Sequence, residues 1–327
     1  MKITQTDYNK MFKGYYINGV AVKDNGPICF LAKEIRDDLD PVFDETWYKK
    51  RLVAYYNEEN GDENEQWGRV TWSGLNRLCI ATITRPLSQV IVTDMNGFVY
   101  TNGGGSKDDD RIPDRPVITN IRSICGYAYV AGNFRYVAKR NDTNKWQELN
   151  NGIKIPNLKE ATSTAGFKFI DGFSETEIYA GGGRGDLWQF NGEKWRQVPF
   201  PSNMLLSAIC CGQDGFVYIG AQSGTVFKGR NDEWRMIHRG DLSLPFGQMV
   251  WYQDRVWATS DYGVWQIVDD EVIKADLPTE VMVCAGYIDC NDKTLVIAGV
   301  NGAARLENGE WDILIDCFEG EENSENQ

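Results

Sequence analysis

Three observations predict an all-β chain, a β-propeller of about seven four-stranded blades. The stretch from Met204 to Gly240 breaks into four short strands separated by turns. Copies of it recur along the chain at a spacing of roughly 40–50 residues. A sheet of four strands has two apolar faces and cannot bury both without copies of itself on either side. Six blades is the alternative, if the first segment is a decorated cap.

The Met204–Gly240 unit shows why each element is expected. Leu205–Cys211 is an apolar run short enough for a buried strand, and Gly212-Gln213-Asp214-Gly215 is a turn. Phe216–Gly220 is β-branched and aromatic, Ser223-Gly224 turns the chain into Thr225–Lys228, and a polar loop delivers Trp234–Ile237. Downstream, Val256–Trp265 and Leu295–Leu306 repeat the second strand, turn and third strand. Upstream, Ile178–Trp188, Tyr129–Arg140 and Val90–Tyr100 do the same. The tryptophans that close the units keep time: Trp195 and Trp234 lie 39 residues apart, and Trp234 and Trp311 lie 77 apart. The 49 residues between Trp146 and Trp195 fit one repeat with a loop insertion.

In chain order, residues 6–75 form an enlarged, irregular first blade. Its expected strands are Gly14–Val22, Ile28–Ala32, Arg51–Tyr56 and Trp67–Trp72. The acidic stretches Glu34–Glu45 and Asn57–Glu65 between them read as solvated loops. Six blades follow, at about 76–116, 117–160, 161–203, 204–243, 244–278 and 279–315; a fourth strand in 76–116 is not evident. Residues 1–315 are thus expected to be a single propeller, because stacked blades leave no internal boundary. Residues 316–327 are expected to be an acidic flexible tail.

The composition of the 327 residues narrows the function. A net charge of −13 and the lack of a basic stripe argue against nucleic acid and anionic membrane surfaces as partners. Such a charge steers basic partners toward the protein. The N-terminus lacks the apolar core of a secretory signal, and no apolar run reaches eighteen residues, so a cytoplasmic protein is expected. The eight cysteines fall mostly in apolar strands with no CxxC spacing, which fits reduced, buried thiols.

Chemistry-bearing motifs are few. His238 is the single histidine, so no multi-histidine metal cluster can form, and no catalytic residue, metal or other cofactor is expected. Lys107–Arg111 carries DxD spacing without the glycine and terminal glutamate of a calcium loop. Gly181–Asp186 is glycine-rich but opens no helix, so it is not a phosphate loop. The Arg-Gly-Asp triplets at 184–186 and 239–241 read as turn chemistry.

The repeat of strand, small residue, glycine, turn and closing tryptophan resembles the WD-repeat and kelch-type propellers in architecture. The segments YVAGNFRYVAKRNDTNKW and YAGGGRGDLWQFNGEKWRQV resemble bacterial cytoplasmic propeller proteins, some of which accompany secreted toxins as immunity proteins. The resemblance covers about residues 76–315. It implies a non-enzymatic, protein-binding immunity propeller that occludes a cationic toxin domain. The alternative is a small-ligand or glycan-binding propeller, or a hydrolase, acting at the central channel. Alternating strand direction puts the second-to-third-strand loops and the inter-blade loops at one end of every sheet. The candidate partner-binding residues on those loops are Asp94, Arg135, Arg184, Asp261 and Tyr262.

Overall fold

The computed structural model describes residues 2–36, 38, 44–56, 66–104, 111–113, 117–261 and 263–319. The acidic stretch 57–65, the aspartates of the DxD run, Tyr262 and the tail from residue 320 therefore lie outside the described residues. The protein is all-β, a propeller of seven antiparallel sheets.

Blade one consists of β1 (Tyr15–Val22), β2 (Ile28–Glu34), β3 (Lys50–Tyr55) and β4 (Trp67–Trp72). Blade two has three strands among the described residues: β5 (Leu78–Ile83), β6 (Gln89–Asp94) and β7 (Val99–Asn102). Blade three is β8 (Ile118–Ile124), β9 (Tyr127–Gly132), β10 (Tyr136–Asp142) and β11 (Lys145–Glu148). Blade four is β12 (Phe169–Ser174), β13 (Glu177–Gly182), β14 (Asp186–Phe190) and β15 (Trp195–Gln197). Blade five is β16 (Leu206–Cys211), β17 (Val217–Ala221), β18 (Val226–Arg230) and β19 (Glu233–His238). Blade six is β20 (Gln248–Tyr252), β21 (Arg255–Ser260), β22 (Gly263–Val268) and β23 (Glu271–Lys274). Blade seven is β24 (Tyr287–Cys290), β25 (Thr294–Gly299), β26 (Gly302–Glu307) and β27 (Glu310–Asp316). The four strands expected in the first segment are β1 to β4, each displaced by at most two residues.

Burial follows position in the blade. The second strands β6, β17 and β25 are buried along their whole length, each hydrogen-bonded inside its sheet between the first and third strands. The fourth strands β11, β15 and β23 are largely exposed on the outer edge. The repeated glycine closing a second strand has a steric cause. A Cβ at Gly132, Gly182 or Gly299 would lie 2.2–2.4 Å from a backbone carbonyl oxygen of the incoming inter-blade connection. The closing tryptophans pack backward along the chain. Trp195 packs at a tilt against Phe167 and Phe190 and donates to the Leu149 carbonyl, and Trp234 meets Tyr179 and Phe200.

The chain divides into two compact units, each with its own core. One comprises residues 1–78, 259–264 and 274–327, and so contains blades one and seven. Within it, β1 packs on β24 and β25, and the Val22 N–H donates to the Asp289 carboxylate. A helix absent from the sequence reading, α1 (Gln5–Met11), joins this core through Tyr8, Met11 and Phe12. Thr4 caps it by accepting from the Asp7 N–H, so Thr4-x-x-Asp7 was a usable start signal. The other unit, residues 79–258 and 265–273, carries blades two to five and most of the sixth. There the Cys211 N–H donates to Asp171 in the preceding blade, as Val22 does to Asp289.

Candidate partner-binding surface

The two ends of the sheets differ in chemistry. At the end holding the first-to-second and third-to-fourth turns, the charges of unit 79–258 pair across blades. Arg230 makes a two-point pair with Glu177, Lys139 meets Glu175, and Lys228 lies between Asp214 and Asp270. Arg196 pairs with Asp232, and Arg235 with Asp270. The fold consumes these charges.

The other end is more apolar. The second-to-third-strand loops and the inter-blade connections are laced together there. The Arg184 N–H donates to the Thr164 carbonyl, the Gly185 N–H to Met204 and the Leu206 N–H to Gly183. Twelve large apolar side chains are exposed among the described residues, and nine of them lie on these loops or just past β27. In unit 79–258 they are Phe134, Ile155, Leu158 and Leu205. In the other unit they are Ile35, Trp47, Val283, Val300 and Phe318. Leu158 opens α2 (Leu158–Ser163), which is set by a capping box between Asn157 and Glu160.

Of the five residues singled out from the sequence, two are absorbed by the fold. Asp94 is buried and accepts from the N–H groups of Asn96 and Phe98, so its turn requires it, contrary to the expectation from sequence. Arg135 is also structural. Its guanidinium makes a two-point pair with Asp186, at 2.9 and 2.8 Å, and lies over the Trp188 ring. Asp186 is 3% exposed and accepts further from Trp188 Nε1 and the Gly166 N–H, so the first Arg-Gly-Asp triplet offers no free carboxylate. Arg184 and Asp261 are exposed at the expected loops.

Sequence reasoning missed Trp47. The acidic stretch Glu34–Glu45 just before it read as a solvated loop, but Glu45 pairs with Lys33 and with the buried Lys50. Lys50 also donates to the Leu75 carbonyl, and Asp44 caps the short 3-10 turn Glu45–Trp47. The turn is thereby anchored from below while Trp47 stays 55% exposed.

The unit with blades one and seven has an open groove of about 480 Å³ between α3 (Thr279–Met282), the β25–β26 turn and the end of β27. Asn301 ties its walls: its side chain donates to the Val283 carbonyl, and its own carbonyl accepts from the Cys317 N–H. Lys2 bridges Asp316 and Glu319 at the rim. Burial works to raise the Asp316 carboxyl, but the Lys2 ammonium and the N–H groups of residues 318 and 319 outweigh it and hold it below the usual range. Burial pushes the thiol of Cys284, at the groove, up to about 12.

Among the described residues no three His, Cys, Asp or Glu side chains gather as a metal site, and no helix is long and apolar enough to cross a membrane. His238 sits half-buried at the end of β19, opposite Val226.

The seven antiparallel sheets define a β-propeller. The WD40 propeller domain of Doa1 superposes with a TM-score of 0.60 at 10% identity, covering 90% of this chain and 94% of that one. Virginiamycin B lyase from Staphylococcus aureus gives 0.58 at 14% identity, covering 72% and 83%. At such identities the likeness is one of fold, and a fold of this kind carries unrelated functions. No protein-family model matches the chain. The immune protein Tsi7 of Pseudomonas aeruginosa is 32% identical over 236 residues, 70% of this chain and 76% of that protein. The chain belongs to the family of Tsi7.

Proposed function

We propose that this protein is a non-enzymatic immunity propeller that binds and neutralises a cognate toxin. Kinship with an immune protein is the observation that carries this reading. The surface chemistry supports it, since exposed apolar groups gather on one set of loops while the charges of the opposite turns pair with one another. The partner is a protein with a basic face, which a net charge of −13 attracts over long range. The protein acts as an antitoxin in the cytoplasm, where thiols such as those of Cys29 and Cys210 stay reduced. Binding runs through the second-to-third-strand and inter-blade loops, with Arg184, Asp261 and Tyr262 among its polar groups and Leu158 among its apolar anchors.

The test is co-expression with a candidate toxin, sought among the open reading frames beside the gene, followed by affinity measurement. Wild-type protein rescues growth and binds the toxin. Leu158→Asp or Arg184→Ala weakens binding by about 2 kcal/mol or more at one of the sites, whereas Phe216→Asp at the opposite end leaves it unchanged. Rescue lost with Phe216→Asp and kept with both others would reverse the assignment of the face.

A further inference from the structure

The groove in the unit of blades one and seven has a composition that loops do not need for folding. Its apolar lining includes Ile313, Ile315, Val283 and Phe318, the last 56% exposed. Three carboxylates, Glu280, Asp316 and Glu319, stand around it. Two of them already converge on one ammonium, that of Lys2, with 3.1 Å from Nζ to Asp316 Oδ2. Glu280 stands on α3, exposed. The Asn301 hydrogen bonds hold the walls in place, so little ordering is left for binding to drive.

A self-association site would bring like charges together, and a free acidic ligand would meet the same repulsion. A cationic side chain with apolar neighbours meets neither cost, since its stem lies on Phe318 and Val283 while its head reaches the carboxylates. We propose that this groove takes a segment of the partner in which a lysine or arginine is flanked by apolar residues. The proposal rests on the protein-binding reading above and deepens it by giving the chemistry of one contact.

The test uses the full-length protein and two probes, a short peptide of alternating leucine and arginine and its leucine–glutamate counterpart. Glu280→Lys and Phe318→Ser both alter exposed side chains, so folding is retained and is checked by thermal melting. The leucine–arginine peptide is expected to bind saturably and to weaken about tenfold in each variant. Phe216→Ser, an exposed position in the other unit, leaves the affinity unchanged, and the leucine–glutamate peptide does not bind. No binding to wild-type protein overturns the groove assignment, as does equal binding of the two peptides. Loss in Glu280→Lys without loss in Phe318→Ser means diffuse charge attraction and overturns it too. The peptide assay needs no toxin, so its failure is separable from failure of the immunity reading. Toxin neutralisation that persists in both variants would likewise leave immunity standing and remove the groove from it.

Discussion

Asp186 and Arg184 stand two residues apart in one turn and have opposite fates. Asp186 is buried and serves four donors on Arg135, Trp188 and Gly166, whereas Arg184 projects outward. Removing the carboxylate leaves a half-buried guanidinium and two N–H groups without their acceptor. Asp186→Ala should therefore lower stability by about 3–5 kcal/mol in urea denaturation, the cost of breaking a buried pair from one side. Arg184→Ala should change stability by no more than about 0.5 kcal/mol. Equal effects at the two positions would contradict the division between structural and binding groups.

At the scale of the element, blades meet through a few recurring devices. The close-approach glycine is one. Gly182→Ala puts a methyl group 2.4 Å from the Gly166 carbonyl oxygen, which is backbone and cannot swing away. The change should cost about 1–3 kcal/mol, as overpacking does, and is checked by the shift of the denaturation midpoint. The Glu177–Arg230 pair between blades four and five is another. Its guanidinium holds the Glu177 carboxyl below its ordinary value, although burial pulls the other way. With the folded pKa depressed, the contribution is fully present above the unfolded value of about 4.3 and is lost as pH falls through the folded value. Glu177→Gln should thus be less stable than wild type at neutral pH and should lose less on acidification. A pH series of urea melts checks this, and parallel acid limbs for the two proteins would refute it.

For the whole molecule the governing quantity is charge. With a net charge of −13, association with the basic partner proposed above should be steered, so the association rate should fall steeply between low and physiological salt. The dissociation rate, set on this proposal by short-range contacts at the loops, should change far less. Stopped-flow or surface-resonance measurements at several salt concentrations separate the two. A salt-independent association rate would remove the electrostatic part of the partner assignment.

Strand, turn and repeat are local properties, and they were legible. The alternation of apolar runs with glycine turns placed β1 to β4 and the Met204–Gly240 unit within two residues, and the tryptophan spacing gave the length of the repeat, while the choice of seven blades over six came from the structure. The same topology singled out the loops at one end of the sheets. Which loop side chains are available on them was settled only by tertiary structure. Arg135 is spent on Asp186, 51 residues away, and that pairing leaves no trace in either neighbourhood. Asp94 is local but was misread, because an aspartate that closes its own turn looks in sequence like one offered to a partner. Trp47 and the groove at Phe318 stayed hidden for the same long-range reason. Lys50 braces the Trp47 turn by reaching Leu75, and the groove joins α3, Asn301 and the end of β27. Contacts between distant segments form only when the blades close on one another, so the sequence determined the scaffold and the packing decided which residues are free to bind.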